Sequence, residues 1–519
     1  MRALARQVVC LAVPLVFSFI PIAGMLWISA PELPPPGVSL VRIAIALAAV
    51  VIPLYLLLRR RSALIASNAL GLPLLVLGLY PAAHSATSAL VRNEAILAWI
   101  YIALCVACGW IAHRLSGEAA VTLHDVLTTV AVVFLVFTAW LLFNNYVRPA
   151  SYPPAVEAAM DHLLTPFSRP TARIDWRPDV YDLVLDGMGR PDVLQQEYGL
   201  KLGGVLDEFH RLGFEFAANS RANYAQTQLS LASMLNAGYL DELAKAEGAT
   251  GRQRGPLRDL ISKGRVPAFF KDLGYRVEFI GSGYLSSGAF ERADVCDCPQ
   301  LWFADAEVGA LSLSPLKVLF GGVGIRAHFD RSLKIFDEIE RLRRAHEPRY
   351  VFAHVPMPHP PFVADERGAF TNSGRFMSGG DGSFFAGSPE EYKSGYRAQA
   401  AFVLSRTLRA ATRILRDGAS TGRDTIFVVH GDHGPRRDFD ALNPTAESGH
   451  LALPTLLAIR WPAGHEPSAP PESLVNVYRV LLNRMFGVDA PVLEDRGYVS
   501  GFDRPYDLIP VPLVNDAAR

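Results

Sequence analysis

An α/β domain behind a membrane-spanning bundle is the fold class that this 519-residue sequence predicts. Three observations predict it. Before residue 147 the chain holds five long runs without Asp, Glu, Lys or Arg. After residue 147, short β-branched apolar runs alternate with stretches of helical period, the pattern of a mainly parallel sheet flanked by helices. Several of those strand-like runs break abruptly into Asp, His and Gly, at the strand ends where ligands bind in open α/β sheets.

The uncharged runs are Val8 to Ala30, Ile43 to Leu58, Ser62 to Tyr80, Ala95 to Ala112 and Val126 to Phe143. A helix needs roughly 20 apolar residues to cross a bilayer. The second run is short, but Arg42 at its edge can snorkel and extend it. Each run alone could be a buried soluble helix; five in succession point to spans. Arg2 and Arg6 precede the first run, Arg59 to Arg61 follow the second, and His113 and Arg114 follow the fourth. The positive-inside rule therefore places the N-terminus in the cytoplasm and everything after Phe143 outside. The first run is too long for a signal-peptide core of about 7–15 residues, although Ile28-Ser29-Ala30 loosely resembles a cleavage site. Residues 1–146 are thus expected to be a five-helix transmembrane domain, 147–178 a juxtamembrane linker, and 179–519 an extracytoplasmic domain.

Composition excludes little else. The chain is half apolar, and 50 Lys plus Arg balance 50 Asp plus Glu, so no nucleic-acid partner is implied. Cys10, Cys105 and Cys108 fall in membrane runs as packing residues. Cys296 and Cys298 form Cys-Asp-Cys, a loop disulfide or two thiols, since no second pair completes a metal site. The proline-rich linker carries a short amphipathic helix, Ala155 to Leu164, expected to hold the domain near lipid.

In the outer domain Tyr181 to Leu185 has strand character, and a helix pair follows over Asp192 to Leu212. Gly213 to Ala217 is extended, and Gln226 to Leu235 is helical. A helix over Leu257 to Leu273 leads into a strand at Arg276 to Ile280, and one over Asp330 to Arg344 into a strand at Tyr350 to His354. A long helix, Pro389 to Arg416, precedes the central strand Ile426 to Val429. One more strand, Leu451 to Ile459, and a closing helix, Glu472 to Phe486, complete the pattern.

The chemistry sits where strands stop. The first strand ends at Asp186-Gly187, an ordinary turn dipeptide or a carboxylate at the sheet edge. In Asn223-Tyr224-Ala225-Gln226-Thr227, Thr227 falls at the N-cap or in the first turn of a helix. Thr there is a helix cap, or a nucleophile whose anionic oxygen the helix N-terminus favours. The strand at Tyr350 runs into His354 and His359 among prolines, a stiff loop projecting both rings. The central strand ends in Gly431-Asp432-His433-Gly434, and His450 opens the strand after it. Asp186, Thr227, Asp432 and His433 make a mixed oxygen and nitrogen set suited to one divalent ion, Mn²⁺, Zn²⁺ or Mg²⁺.

These motifs, together with His354-x-x-x-Pro358-His359-Pro360-Pro361 and Gly434-Pro435, resemble the sulfatase-like membrane proteins of the alkaline phosphatase superfamily. Five spans followed by such a domain resemble lipoteichoic acid synthases and lipid A phosphoethanolamine transferases in particular. The resemblance implies an alkaline-phosphatase-like domain on a bacterial-type inner membrane, with Thr227 as nucleophile and Asp186, Thr227, Asp432 and His433 as metal ligands. His354, His359 and His450 would bind substrate. It implies transfer of a phospholipid headgroup, of phosphoglycerol or phosphoethanolamine type, through a phosphothreonine to a glycan or lipid acceptor. Two positions depart from the pattern: Asp186 stands where Glu is usual, and Gly431 where Ser is usual. The Cys/Ser-x-Pro-x-Arg motif of true sulfatases is absent, which disfavours sulfate-ester hydrolysis. Alternatives are a phosphodiester or phosphate-ester hydrolase and a catalytically silent component of a polysaccharide assembly.

Overall fold

The uncharged runs fold as helices in a computed structural model that describes residues 2–20, 23, 37–81, 83, 94–143, 152–168, 176–281, 290–297, 314–342, 347–371, 380–385 and 387–512. The helices are Arg2–Ser18, Gly37–Leu58, Ala63–Gly78, Glu94–Arg114 and Gly117–Leu142. Two of them, over Ala95–Arg114 and Gly117–Leu141, are long and apolar enough to cross a membrane. The apolar stretches Gln7–Ser18, Arg42–Leu58 and Ala63–Gly78 are shorter. Among the described residues, two helices thus pass on length, and the other three uncharged runs are helical over the shorter stretches described. Ile28 to Ala30 lie outside the described residues.

Both the surface and the interior of these helices carry apolar residues, and a few polar ones are buried. Trp99, Trp110, Val136, Phe137 and Trp140 are exposed, whereas Ser67, Asn68 and His124 are buried. The Asn68 Nδ2 donates to the Ala120 carbonyl at 2.7 Å, and Cys10 Sγ lies 3.6 Å from His124 Nε2. A Cβ on Gly71 would meet Val13 Cγ1 at 3.2 Å, and one on Gly109 the Ala69 carbonyl at 3.1 Å. Small residues thus let helices approach closely, and large apolar residues lie on the surface of this unit as well as in its interior, where Phe17, Tyr55 and Leu127 are buried.

The chain divides into two compact units: Met1–Ala150 with Leu301–Ile325 and Gly374–Met377, and the remainder from Ser151. The second is a three-layer α/β domain. Its sheet has the order β2-β7-β6-β1-β5-β3-β4. The strands are β1 (Asp179–Leu185), β2 (Phe214–Phe216), β3 (Arg276–Ile280), β4 (Val295–Asp297), β5 (Arg349–Val355), β6 (Thr425–His430) and β7 (Leu457–Arg460). β1 runs parallel to both β5 and β6, β3 parallel to β4 and β5, and β7 antiparallel to β2 and β6. Every residue of β1, β5 and β6 is buried, which is why each is almost continuously apolar. Val184 pairs with His354 on one side and His430 on the other, so three chains leave the sheet level with one another.

Four elements differ from expectation. The helix read over Leu257 to Leu273 breaks at Gly264 into Gly255–Ser262 and Arg265–Asp272. The strand read from Leu451 starts only at Leu457, because Gly449–Ala452 forms a helical turn first. The helix Leu474–Phe486 does not close the domain; a hairpin of β8 (Gly497–Gly501) and β9 (Arg504–Val511) follows. The helix Pro154–Leu164 buries Val156, Ala159, Met160 and Leu163 in the core of this domain. Its apolar face is therefore covered by protein and not offered to lipid. Cys296 is exposed on β4, and Cys298 lies outside the described residues.

Aromatic packing holds one helix layer to the sheet. Phe270 is fully buried, stacks on Tyr350 at 4.5 Å and meets Tyr275 and Phe486 edge-on. Phe270→Ala should cost about 3–5 kcal/mol by leaving a cavity among these rings. The effect would be read as a lowered thermal midpoint of the full chain in detergent; an unchanged midpoint would show that the cluster is dispensable.

Candidate metal centre

Asp186 follows β1 directly, and Asp432 and His433 follow β6, so two neighbouring parallel strands deliver three ligand-type side chains to one place. All three are buried, and one potential ligand atom from each lies within 4.8 Å of the others. Gly187 makes the turn that allows this, at φ +73°, where a Cβ would press on His433 Cε1 at 3.4 Å. Its N–H donates to Asp432 Oδ1 at 2.9 Å.

Thr227 is the first residue of the helix Thr227–Asn236, and Gln226 is its N-cap. Thr227 therefore does not cap that helix. Its Oγ1 lies 3.4 Å from His433 Nε2. The neighbouring glutamines are fixed by one buried guanidinium: Arg254 donates to Gln226 Oε1 at 2.8 Å and to Gln228 Oε1 at 3.0 Å. Gln226 in turn donates to Ser500 Oγ at 2.8 Å and to the Gly501 carbonyl at 3.1 Å. Ser230, one turn on, donates to the Asp432 carbonyl at 2.6 Å and ties the helix to the ligand loop.

The protonation pattern suits a cation. His433 Nδ1 is 2.7 Å from the Gly434 carbonyl, which can only accept, so this nitrogen carries the proton and Nε2 keeps its lone pair. That lone pair faces Asp186 Oδ1 at 3.5 Å and Asp432 Oδ2 at 3.6 Å. Burial, with Arg436 nearby, holds the His433 imidazole below its ordinary range. Burial and the adjacent Asp432 push the Asp186 carboxyl up. For Asp432, burial is outweighed by His433, His354, the Gly187 N–H and Thr227, and the carboxyl is held down. Asp186 Oδ1 and Asp432 Oδ2 are buried with no hydrogen-bond partner among the described residues. Orphaned carboxylate oxygens are costly, and a divalent ion satisfies them; the residues present fit one.

The three remaining histidines are placed differently. His354, near the end of β5, is fully buried with neither ring nitrogen hydrogen-bonded. Its Nε2 stands 3.6 Å from Asp186 Oδ2, and burial lowers its pKa to about 4. His359 is brought beside the cluster, its backbone N–H donating to the Asp186 carbonyl at 2.9 Å. Its ring is held by Arg436, whose Nη2 lies 3.0 Å from His359 Nε2. His450 is not brought into this cluster. It sits exposed in the helical turn Gly449–Ala452, on the wall of a groove of about 860 Å³ that Arg190, Asp192, Asn219 and Arg436 also line.

Arg436, Asp381 and Tyr392 are site residues that the sequence reading did not single out. Arg436 had one signal, its place just after Gly434-Pro435; Asp381 and Tyr392 had none. The Gly431 departure now has a physical reason. A Cβ there would meet Thr455 Oγ1 at 2.3 Å and the Met188 carbonyl at 2.4 Å, and Thr455 itself bonds the Met188 and His433 carbonyls at 2.9 and 3.1 Å.

No family model matches this chain, and no curated protein matches it. Among solved structures it is similar to the C-terminal periplasmic domain of EcEptC from Escherichia coli in complex with Zn, at 13% identity over 67% of this chain and 98% of that one, with a TM-score of 0.42. It is similar also to the phosphonate monoester hydrolase of Agrobacterium radiobacter, at 14% identity over 60% and 74%, TM-score 0.40. The C-terminal periplasmic domain of phosphoethanolamine transferase EptC from Campylobacter jejuni is 12% identical over 61% and 92%, TM-score 0.37. A likeness at this level decides nothing about activity, which has to come from the side chains.

Three outcomes are expected. The metal-loaded protein should hold one divalent ion per chain by elemental analysis, and Asp186→Asn or His433→Ala should lose it. Affinity should fall as pH falls, because burial favours the protonated Asp186 carboxyl and the ion must displace that proton; pH-independent affinity would contradict this ligand set. Gly431→Ser should displace the Asp432-His433 loop and lower metal content, whereas Gly431→Ser combined with Thr455→Ala should recover part of it.

Proposed function

We propose that this protein is a membrane-anchored, metal-dependent transferase. It moves a phospholipid headgroup of phosphoglycerol or phosphoethanolamine type through a phosphothreonine to a glycan or lipid acceptor. The observation that carries this reading is the Thr227 hydroxyl, 3.4 Å from the His433 Nε2 lone pair and beside two orphaned carboxylate oxygens. A hydroxyl buried at a helix N-terminus against that ligand set is a nucleophile's environment more than a structural threonine's.

Asp186, Asp432 and His433 would hold the ion with Thr227, and the ion, when bound, lowers the pKa of a hydroxyl it touches. The helix Thr227–Asn236 adds the positive end of its dipole at Oγ1. Thr227 Oγ1 gives up its proton and bonds to phosphorus while the bond from phosphorus to the glycerol oxygen of diacylglycerol breaks; a proton equivalent to the one Thr227 released goes to that oxygen, which leaves as an alcohol. The acceptor hydroxyl then bonds to phosphorus, the phosphorus–Oγ1 bond breaks, and the acceptor's proton restores the threonine. Gln226 and Gln228, fixed by Arg254, keep Oγ1 aimed through both steps, and positioning with electrostatics supplies most of the rate in such transfers.

Diacylglycerol remains in the bilayer, which is a physical reason to carry the domain on apolar helices. We take the five N-terminal helices as spans of a bacterial-type inner membrane, with the catalytic unit extracytoplasmic. A groove of about 860 Å³ beside Arg436 offers room for an acceptor. This favours transfer over hydrolysis.

Thr227→Ala should abolish turnover while folding and metal content persist, and Thr227→Ser should retain part of it. Mass spectrometry of the intact chain after incubation with phospholipid vesicles should show one headgroup phosphate added at Thr227. Turnover by the alanine variant would remove Thr227 from the chemistry, and headgroup release without transfer would convert the reading to a hydrolase.

A further inference from the structure

Beside the carboxylate cluster stands a second group of different construction. Arg436 Nε donates to Asp381 Oδ2 at 2.9 Å, Nη1 to the Ala225 carbonyl at 3.2 Å, and Nη2 to His359 Nε2 at 3.0 Å. His359 can accept because its Nδ1, 2.7 Å from the Pro360 carbonyl, carries the ring proton. That imidazole is neutral, and its free lone pair is used up on the guanidinium. His359 is therefore a positioning residue for Arg436 and leaves no nitrogen for phosphate. Asp381 accepts from the Tyr392 hydroxyl and the Gly382 N–H, each at 2.8 Å. Burial opposes ionisation of Asp381, but the Arg436 guanidinium and the Tyr392 hydroxyl outweigh it and hold the carboxyl well below the usual range.

A guanidinium has five N–H groups. Three of these are committed, leaving one on each Nη without a partner among the described residues, on a side chain that lines the groove. Both charges of the Arg436–Asp381 pair are felt at the cluster: Arg436 draws the Asp186 carboxyl down while Asp381 pushes it up.

We propose that Asp381 sets the charge of the substrate this site accepts, cancelling Arg436 so that the site favours a monoanionic phosphodiester over a dianionic phosphate monoester. The proposal rests on the reading of Thr227 as a nucleophile toward phosphorus. Counting charges gives the reason. Asp186 and Asp432 offset one divalent ion, the imidazoles of His354, His359 and His433 are neutral, and Arg436 with Asp381 sums to zero. Hydrogen bonds from Arg436 remain for the non-bridging oxygens, but with the count at zero each negative charge brought in is unopposed, and a dianion brings one more than a monoanion. One unit charge at this range changes the binding of another by roughly tenfold or more.

The test uses the full chain in detergent with Mn²⁺, in a Thr227→Ala background that stops turnover. Calorimetric titration at pH 8 compares dimethyl phosphate, a monoanion, with methyl phosphate, a dianion. The parent should prefer dimethyl phosphate. Asp381→Asn should shift the ratio of dissociation constants toward methyl phosphate by about tenfold, and Arg436→Gln should shift it the other way while weakening both. An Asp381→Asn protein that melts like its parent and keeps the parental ratio overturns the proposal. If Asp381→Asn does not fold, an unmoved ratio in Arg436→Gln overturns it, as does failure of either anion to bind. The nucleophile reading fails separately, through diester turnover by Thr227→Ala alone, since the ratio is measured without turnover.

Discussion

Two carboxylates, Asp186 and Asp432, are buried side by side at the ends of adjacent strands, and the domain is built around that expense. Neither could stand there in a soluble core without a cation or a full set of donors, because an ionised group loses far more by leaving water than a neutral one. The backbone supplies part of the compensation: Gly187 N–H reaches Asp432 and Ser230 anchors its carbonyl. Among the described residues, one oxygen on each carboxylate is left without a hydrogen-bond partner, and the His433 Nε2 lone pair meets only the Thr227 hydroxyl at 3.4 Å. The sheet explains how these side chains are brought together. β1 lies between β5 and β6, and the pairing of Val184 with both His354 and His430 brings the three exits to the same height.

A second buried charge lies under the same strand and braces the first. Asp182 Oδ1 is 3.0 Å from His430 Nε2, and Oδ2 accepts from Tyr478 at 2.5 Å. Tyr478 also meets Tyr350 at 2.8 Å. This chain of contacts crosses β6, β1, β5 and the helix Leu474–Phe486, linking the strand that delivers Asp186 to the one that delivers Asp432. Displacing either strand would break a fully buried polar network, so the ligand spacing is held from below as well as by the loops above.

The parts of the site that could be read from sequence are those that follow a strand at once. Asp186, His354, Asp432 and His433 each sit next to a continuous apolar run, and the change from β-branched residues to Asp, His and Gly marks the strand end directly. Thr227 is legible for a related reason, since a polar loop gives way there to an apolar helix. Arg436, Asp381 and Arg254 act through contacts between segments distant in sequence, and no local pattern encodes such contacts. His450 misled because Leu451 to Ile459 is apolar enough for a strand. Gly449 instead lies tight against Val511 and Val499, the chain turns helical through Ala452, and Pro454 stops it before β7. The N-terminal helices show the same division: absence of charge was plain, whereas the burial of Ser67, Asn68 and His124 depends on contacts between helices.

The last hairpin shows why the domain does not finish where its α/β alternation does. β8 and β9 add nothing to the main sheet. Yet Ser500 and Gly501 receive the Gln226 amide, and the Phe502 carbonyl receives Arg254 at 2.6 Å. Phe502 also lays its ring against that guanidinium at 4.6 Å. Thr227 thus has its backbone gripped on both sides by side chains that depend on residues almost three hundred positions further on. A threonine hydroxyl offers little reactivity unless its rotamer and its distance to the ligand set are fixed, because effective molarity decays steeply with misplacement. The hairpin is best understood as the outer half of that clamp, and a chain cut after the helix Leu474–Phe486 would keep every ligand while losing the geometry that makes Thr227 useful.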